Sequence, residues 1–356
     1  MDVNKIMQDG FILSNHDSKI DNLAFISLRI SIKAYFETYN CFKWNLNVVV
    51  NENSKVNVVN SSYNSNYFEY STAAILNFHH FAELIIKDIL SKEHKLLAID
   101  ASRNPQILYR LINNIHVDSK EFENLKLLEF SDAIDRLKVL GENNYIDKTK
   151  YQFVLDAITW LKILNKIRNR IIHRGMFIIR YKALDYLFGK YILPFVQKTV
   201  SLPEYSNNNY WKFGNLDSEI DPINEIVDSF NSRKYELYKL ALLKELGRAA
   251  YVNPIKHYSI FFKSLHQSEI RKYEGFAKSA IATDYAYETQ KCPVCGINSL
   301  VLYTDTVDNE DELGNILSHI EYIYSLKCFC CSFELNNDIE QIEKMNLNIQ
   351  NYFKEV

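Results

Sequence analysis

Apolar residues near the start of the chain alternate with polar ones, which is the spacing of a half-buried β-strand. The alternation covers residues 44–50, and residues 51–54 suit a turn into a second strand at 56–59. An apolar segment before it, residues 23–36, is compatible with either a helix or a strand. The pattern predicts a small β-hairpin within an N-terminal extension formed by residues 1–68.

From residue 71 the apolar residues recur at the spacing of an amphipathic helix. Ser71 or Thr72 suits the N-cap of this helix. Its apolar stripe consists of Ile75, Phe78, Ala82, Ile85 and Ile89. Similar patterns predict further helices after Pro105 and over residues 121–140, 150–173 and 181–200. Several helices in close succession predict a compact bundle over residues 69–205.

Three residues mark helix ends or irregularities in this bundle. Gly175 follows the 150–173 helix at the position where a left-handed cap glycine belongs. Pro194 lies inside the 181–200 pattern and should kink that helix, because proline has no backbone N–H to donate. Gly141 is expected to end the 121–140 helix.

The rest of the chain divides into a part with helical spacing and a part with strand-like segments. Helical spacing over residues 219–246 and 254–280 predicts a helical connector, residues 217–285. Residues 286–340 contain two short apolar segments that resemble strands, at 300–303 and 319–326, on either side of an acidic loop.

Composition narrows the class of protein. Only 9 Gly and 6 Pro occur in 356 residues, so an all-β fold with many tight turns is disfavoured. No apolar run approaches the length of a membrane-spanning helix. The first twenty residues lack the layout of a signal peptide, so we expect a cytoplasmic protein with no membrane partner. A net charge of −3 excludes a uniformly basic nucleic-acid binder and requires any polyanion to meet a local patch.

Five of the six cysteines fall between residues 292 and 331. Cys292 and Cys295 form one Cys-x-x-Cys pair, and Cys328 and Cys331 form a second. Two such pairs, each on a tight turn, are typical of tetrahedral zinc sites in which all four ligands are cysteines. The arrangement resembles a zinc ribbon, and it predicts a structural rather than catalytic zinc ion because no coordination position stays open. Cys330 is the odd thiol, and the spacing favours Cys331 as the ligand.

One stretch of the chain carries charge of a single sign. Residues 157–184 contain seven Lys and Arg and no Asp or Glu. A polyanion would be expected to bind there. The alternative is a solvated helix face that acidic residues elsewhere in the fold balance.

Within this stretch three residues suggest a reaction. Arg168 falls in an otherwise apolar row of the helix, so its guanidinium should be buried with a partner or point into a cleft. Asn169 and His173 are four residues apart and share a face, and His173 lies in the last turn. A cation, an amide and an imidazole are the groups needed to cleave RNA without a metal. In that reaction the 2′-hydroxyl attacks the neighbouring phosphate.

The segment IRNRIIHRG, residues 167–175, resembles the Arg-x4–6-His motif of HEPN domains, which have a polar residue directly after the Arg. The resemblance covers about residues 70–200. It implies a mainly α fold: a HEPN-like helical bundle, here with a small β-containing N-terminal extension and a C-terminal β zinc ribbon. It also implies a homodimer that places two motifs across a shared cleft. Many HEPN domains are metal-independent ribonucleases of toxin, antiviral-defence and RNA-processing systems.

The same resemblance assigns roles to individual residues. Arg168 would stabilise the transition state, His173 would be the general acid and base, and Asn169 would orient the phosphate or the imidazole. The pattern ILNFHHFAELIIKDIL, residues 75–90, puts Glu83 in the place of an acidic residue found on an earlier helix of several such families. RNA, a second copy of the chain and an antitoxin or activating phage component are the partners implied.

Two alternatives accompany this interpretation. Arg110 and His116 also satisfy the bare motif, but Leu111 follows the Arg and the surroundings are not basic. The chain could instead be a non-catalytic RNA- or protein-binding module, in which the basic helix end grips phosphates and the ribbon docks a partner. A DNA-binding regulator is a weaker alternative, because no recognition helix is apparent. No phosphate-binding Gly-rich loop, nucleophile elbow or His-Glu-x-x-His motif is present.

Overall fold

The described part of the chain is mainly helical, with one small antiparallel sheet near the C-terminus. The computed structural model describes residues 23–51, 55–100, 104–118, 121, 125–255, 263–283, 286–310, 316–339 and 342–356. The chain forms two compact units. The first comprises the chain up to Ile30, Leu76–Arg168 and Lys198–Trp211. The second comprises Ser31–Ile75, Asn169–Gln197 and Lys212–Val356.

Helices, not a hairpin, form the N-terminal segment. They are α1 (Leu23–Asn40), α2 (Leu46–Val50) and α3 (Val56–Ser61), so the predicted β-hairpin at 44–50 and 56–59 is wrong. Its turn at 52–54 lies outside the described residues. The buried residues of α2 are Leu46, Val49 and Val50, which is the i, i+3, i+4 spacing of one helical face. A run this short can fit both a helix and a strand, because positions 46 and 50 are apolar in both patterns.

Helix α4 (Ser65–Glu93) begins six residues before its predicted cap. The side chain of Asn64 accepts a hydrogen bond of 2.9 Å from the Tyr67 backbone N–H and so caps the helix there. Ser71 is instead buried inside the helix. All five residues of the predicted apolar stripe are buried, so this prediction is confirmed.

Three helices follow: α5 (Pro105–Ile112), α6 (Phe130–Glu142) and α7 (Lys148–Arg174). Helix α6 starts at Phe130 rather than at the predicted residue 121, and Leu127 before it forms an extended bridge with Ile99. It also continues through Gly141, which is buried.

Helix α7 agrees with its prediction within two residues at either end. Gly175 has φ +64° and donates its N–H to the Ile171 carbonyl at 3.2 Å, as expected of a left-handed cap. The division between the two compact units falls within α7, after Arg168.

The predicted helix over 181–200 is interrupted. It consists of α8 (Tyr181–Leu187), a π-helical turn (Phe188–Ile192) and α9 (Leu193–Val200). The π-helical turn ends two residues before Pro194, whose missing N–H cannot continue the regular ladder. The second unit continues with α10 (Pro222–Asn231), α11 (Leu237–Val252) and α12 (Lys263–Thr283).

Four strands form the sheet among the described residues: β1 (Ala286–Gln290), β2 (Leu300–Glu310), β3 (Ile316–Cys328) and β4 (Glu334–Asn336). They pair antiparallel in chain order. The two predicted strand segments fall inside β2 and β3 and are confirmed. No described helix is long and apolar enough to cross a membrane.

Candidate functional site

Four cysteine sulfur atoms meet at the base of the β2–β3 hairpin. The Sγ atoms of Cys292, Cys295, Cys328 and Cys331 lie within 4.8 Å of one another, and all four residues are buried. Cys292 and Cys331 approach to 3.5 Å, and Cys295 and Cys328 to 3.6 Å. A tetrahedral zinc ion with Zn–S bonds of about 2.3 Å places its sulfur ligands about 3.8 Å apart. The set could therefore hold a metal ion such as zinc, and it is the set that the spacing predicted.

Burial and mutual hydrogen bonds shift the pKa values of the four thiols in different directions. Burial raises the pKa of the Cys292 and Cys331 thiols, because a thiolate away from water loses its solvation. Hydrogen bonds from neighbouring thiols lower the pKa of Cys295 and Cys328. Cysteine binds a metal as the thiolate, so a divalent cation would replace the protons of these thiols. Cys330 is buried but does not belong to the four.

Tight turns present the two cysteine pairs. Gly296 has φ +75° and donates to the Cys292 carbonyl at 2.9 Å, which closes the first turn. Its left-handed backbone is a conformation that glycine adopts without strain. In the second turn Ser332, with φ +57°, donates to the Cys328 carbonyl at 3.0 Å.

A buried ion pair on α11 fastens the second turn. The Arg248 guanidinium donates two hydrogen bonds of 2.7 Å to the Glu245 carboxylate, and both side chains are buried. The same guanidinium donates to the Ser332 hydroxyl at 3.1 Å and to the Ser332 carbonyl. Glu245 in turn accepts the Glu334 backbone N–H at 2.7 Å. We call these four residues the clamp.

Three further contacts tie the cysteine region to the α1–α2 segment of the same unit. Lys43 forms an ion pair of 2.7 Å with Glu334, and its carbonyl accepts from the Asn336 side chain at 2.6 Å. Asn47 on α2 donates to Asp338 at 2.7 Å. The cysteine region is therefore built into the second unit rather than attached at its surface.

Helix α11 carries a second buried pair. Lys244 lies 2.7 Å from Asp185 of α8, and both side chains are fully buried. The Lys244 ammonium also lies 3.7 Å from the centre of the Tyr181 ring. Burial raises the pKa of Asp185 and lowers that of Lys244, while their mutual attraction opposes both shifts. Sequence reasoning missed both pairs, although three charged residues inside the apolar run LALLKELGRAAYV are a signal of buried charge.

A polar cluster joins α4 to α7 in the first unit. The buried His79 ring lies 2.9 Å from the Asn165 side-chain oxygen. Glu83 pairs with Lys87 at 2.5 Å and lies 3.8 Å from His79, and both are i, i+4 neighbours of Glu83 on one helix face. Burial lowers the pKa of His79, and the Arg168 charge lowers it further. Glu83 and Arg168 thus both act on the same buried imidazole.

The end of α7 presents the remaining residues of the predicted motif. Arg168 and Asn169 are half-buried, and His173 is exposed in the last turn. Arg170 packs over the Phe177 ring at 5.6 Å. The alternative Arg110 is engaged locally, since it bonds Glu121 at 2.9 Å and the His116 carbonyl.

Comparison of the chain with protein-family models, with curated proteins and with solved structures finds no significant match. The assignment of function therefore depends on the residues themselves.

Proposed function

We propose that the chain is a metal-independent endoribonuclease whose reacting groups lie at the end of α7. The observation that carries the proposal is the exposed His173 at the end of a helix that has no acidic residue after Asp156. Arg168 and Asn169 lie one turn earlier and are half-buried. A positive helix end with an accessible imidazole suits the cleavage of a phosphodiester.

The reaction balances without a metal. The 2′-hydroxyl oxygen of the RNA forms a bond to the adjacent phosphorus, and the bond from phosphorus to the 5′-oxygen breaks. One imidazole takes the hydroxyl proton, another protonates the departing 5′-oxygen, and a 2′,3′-cyclic phosphate remains. Two copies of the chain would supply two His173 imidazoles, as the HEPN resemblance implies. Arg168 would neutralise the extra charge on the phosphorane-like transition state, and Asn169 would orient the phosphate or the imidazole.

The contacts of Glu83 suit a supporting role in RNA cleavage better than a direct one. Its carboxylate is held by Lys87 and lies beside His79, which in turn contacts Asn165 one turn before Arg168. We propose that Glu83 acts on the reaction by holding this part of α7 in place.

The zinc ion that we propose for Cys292, Cys295, Cys328 and Cys331 would be structural. Four cysteine ligands leave no open position for water or substrate, so the ion would fold the zinc ribbon and take no part in the cleavage. Such an activity would suit an RNA-degrading toxin or antiphage effector, which an antitoxin or a phage component would regulate.

An RNA cleavage assay in the presence of EDTA tests the proposal. We expect cleavage by the wild-type protein to persist and to be lost in His173→Ala. His116→Ala is the matched control, because His116 is also exposed and completes the alternative motif. Equal cleavage by His173→Ala and wild type, or strict metal dependence, would overturn the mechanism. RNA binding without any cleavage would support the non-catalytic binding module instead.

A further inference from the structure

Arg180 lies on a firmly held backbone but has an exposed side chain. Tyrosine hydroxyls fix the residues on either side of it. Tyr67 donates to the Ile179 carbonyl at 2.8 Å, and the Tyr63 hydroxyl accepts the Tyr181 N–H at 2.9 Å. Ile179 and Tyr181 are buried, whereas Arg180 is exposed. The backbone therefore determines where the Arg180 guanidinium can reach.

An aromatic cluster supports these two tyrosines within the second unit. The Phe42 ring lies 5.0 Å from the Tyr63 ring and 5.0 Å from the Tyr67 ring, and the two tyrosine rings are 4.9 Å apart. Phe42 and Tyr67 are fully buried. Because closely packed rings resist movement, the backbone at Arg180 is already in place before a ligand binds, and binding orders little more than the side chain.

The positive charge of Arg180 has no acidic partner within the described part of the chain. Its guanidinium donates a hydrogen bond of 3.1 Å to the neutral side-chain oxygen of the exposed Asn60 on α3. Residues 55–68 contain no Asp or Glu, and neither do residues 157–184. Most N–H donors of the guanidinium remain for a ligand, and the Asn60 amide adds its own N–H donors. Donors of both kinds beside one positive charge suit the oxygens of a phosphate group.

Phe177 connects the segment before Arg180 to the end of α7. Its half-buried ring lies 5.6 Å from the exposed Arg170 guanidinium. Arg170 and His173 are three residues apart and are therefore neighbours on the helix surface. A guanidinium that lies over an aromatic ring offers its outer plane to an unpaired base. A surface for a base at Arg170 and a donor set for a phosphate at Arg180 thus lie on either side of Phe177 along the chain.

We propose that the substrate is single-stranded RNA and that the strand extends from His173 to Arg180, which binds a phosphate together with Asn60. The position of the cleaved bond rests on the ribonuclease proposal, whereas the binding of RNA by Arg180 does not. Arg170 reaches the face of a base only where the base is unstacked, as in a single strand. The reaction has the same requirement, because the attacking 2′-oxygen must be in line with the departing 5′-oxygen, and a regular A-form duplex holds the two out of line.

Fluorescence anisotropy with a labelled single-stranded RNA of about 12 nucleotides tests this proposal. All proteins carry His173→Ala, so that the proposed cleavage does not consume the RNA. Adding Arg180→Ala should weaken binding about tenfold, because a charge-assisted contact with a phosphate is lost. The slope of log affinity against log salt concentration should become shallower by about 0.7, the value for one phosphate of a single strand. Adding Asn60→Ala should also weaken binding but leave this slope unchanged, because a neutral amide displaces no counterion.

Arg271→Ala is the matched control, since Arg271 is an exposed arginine on α12, which packs against the sheet. It should bind RNA as its parent does, and unchanged circular dichroism verifies that every variant is folded. The proposal fails if Arg180→Ala binds within about twofold of its parent, or if the parent binds no RNA at about 100 µM. It also fails if a duplex of the same sequence competes as well as the single strand. Binding that depends on Arg180, without cleavage by the protein that retains His173, would overturn the ribonuclease proposal and leave this one standing.

Discussion

Replacement of Arg248 by Met should destabilise the second unit more than any surface substitution. The side chain loses the guanidinium but keeps much of its length, so the change isolates the clamp. Glu245, 1% exposed, would then be a buried carboxylate with only the Glu334 N–H as a hydrogen-bond donor among the contacts described above. Removal of one partner from a buried ion pair costs about 3–5 kcal/mol. That cost corresponds to a decrease of about 10² to 10⁴-fold in the folding equilibrium constant.

The cost should fall when the second charge is removed as well. In Arg248→Met with Glu245→Gln, no uncompensated charge is left, so we expect part of the loss to be recovered. Because the clamp holds Ser332 next to Cys331, Arg248→Met should also release its metal to a chelator faster than the wild-type protein does.

Urea denaturation followed by circular dichroism measures the free energy of unfolding, and a chromogenic chelator measures metal release. Arg271→Met on α12 is the control, since Arg271 is exposed and its loss should cost no more than about 0.5 kcal/mol. If Arg248→Met lies within about 1 kcal/mol of wild type and keeps its metal equally well, the clamp does not act as described.

Three further predictions concern the metal, a histidine and a glycine. Cys328→Ser should lose the metal ion, whereas Cys330→Ser should bind one equivalent. Elemental analysis measures the metal content of both variants, and equal metal content in both would contradict the ligand set. Burial lowers the pKa of His79 in the folded state, so the unfolded chain takes up the proton more readily, and the free energy of unfolding should decrease as the pH falls below 6.5. Urea titrations at about pH 7.5 and about pH 5.5 measure the loss of unfolding free energy between the two pH values, and His79→Gln should make this loss smaller. An equal loss in the variant and the wild type would contradict the prediction. Gly175→Ala should cost about 1 kcal/mol from its positive φ alone, since an added Cβ meets no atom within 4 Å. Gly275→Ala has equal space but no positive φ, so thermal unfolding should show no loss there.

The sequence predicted best those elements whose signal is local. The apolar stripe of α4, the length of α7 and the cap at Gly175 all follow from spacing within a few turns. The four cysteine ligands could also be predicted, because the two pairs keep the close spacing that a tight turn requires.

The prediction failed where the apolar residues fit both the spacing of a helix and the alternation of a strand. Leu46 and Val50 fit both the buried face of a short strand and that of one helical turn, and the contacts of the folded chain decide between them. The contact of the clamp with the second cysteine turn could not be predicted, because Arg248 and Ser332 are 84 residues apart and no local pattern relates them. The roles of Arg168, Asn169 and His173 remain predictions that the cleavage assay must test.

The cysteine cluster lies where the hairpin begins, and this position has a consequence for how the chain can vary. Strand β2 starts five residues after Cys295, and β3 ends at Cys328 itself. The register of both strands is thus anchored at one end, and their outer residues are free to lengthen or shorten in pairs. Each added pair of residues would extend the β2–β3 hairpin by about 3.4 Å, at little cost in loop-closure entropy. The reach of the hairpin can therefore change in small steps while the cysteine cluster and the helical unit beneath it stay the same.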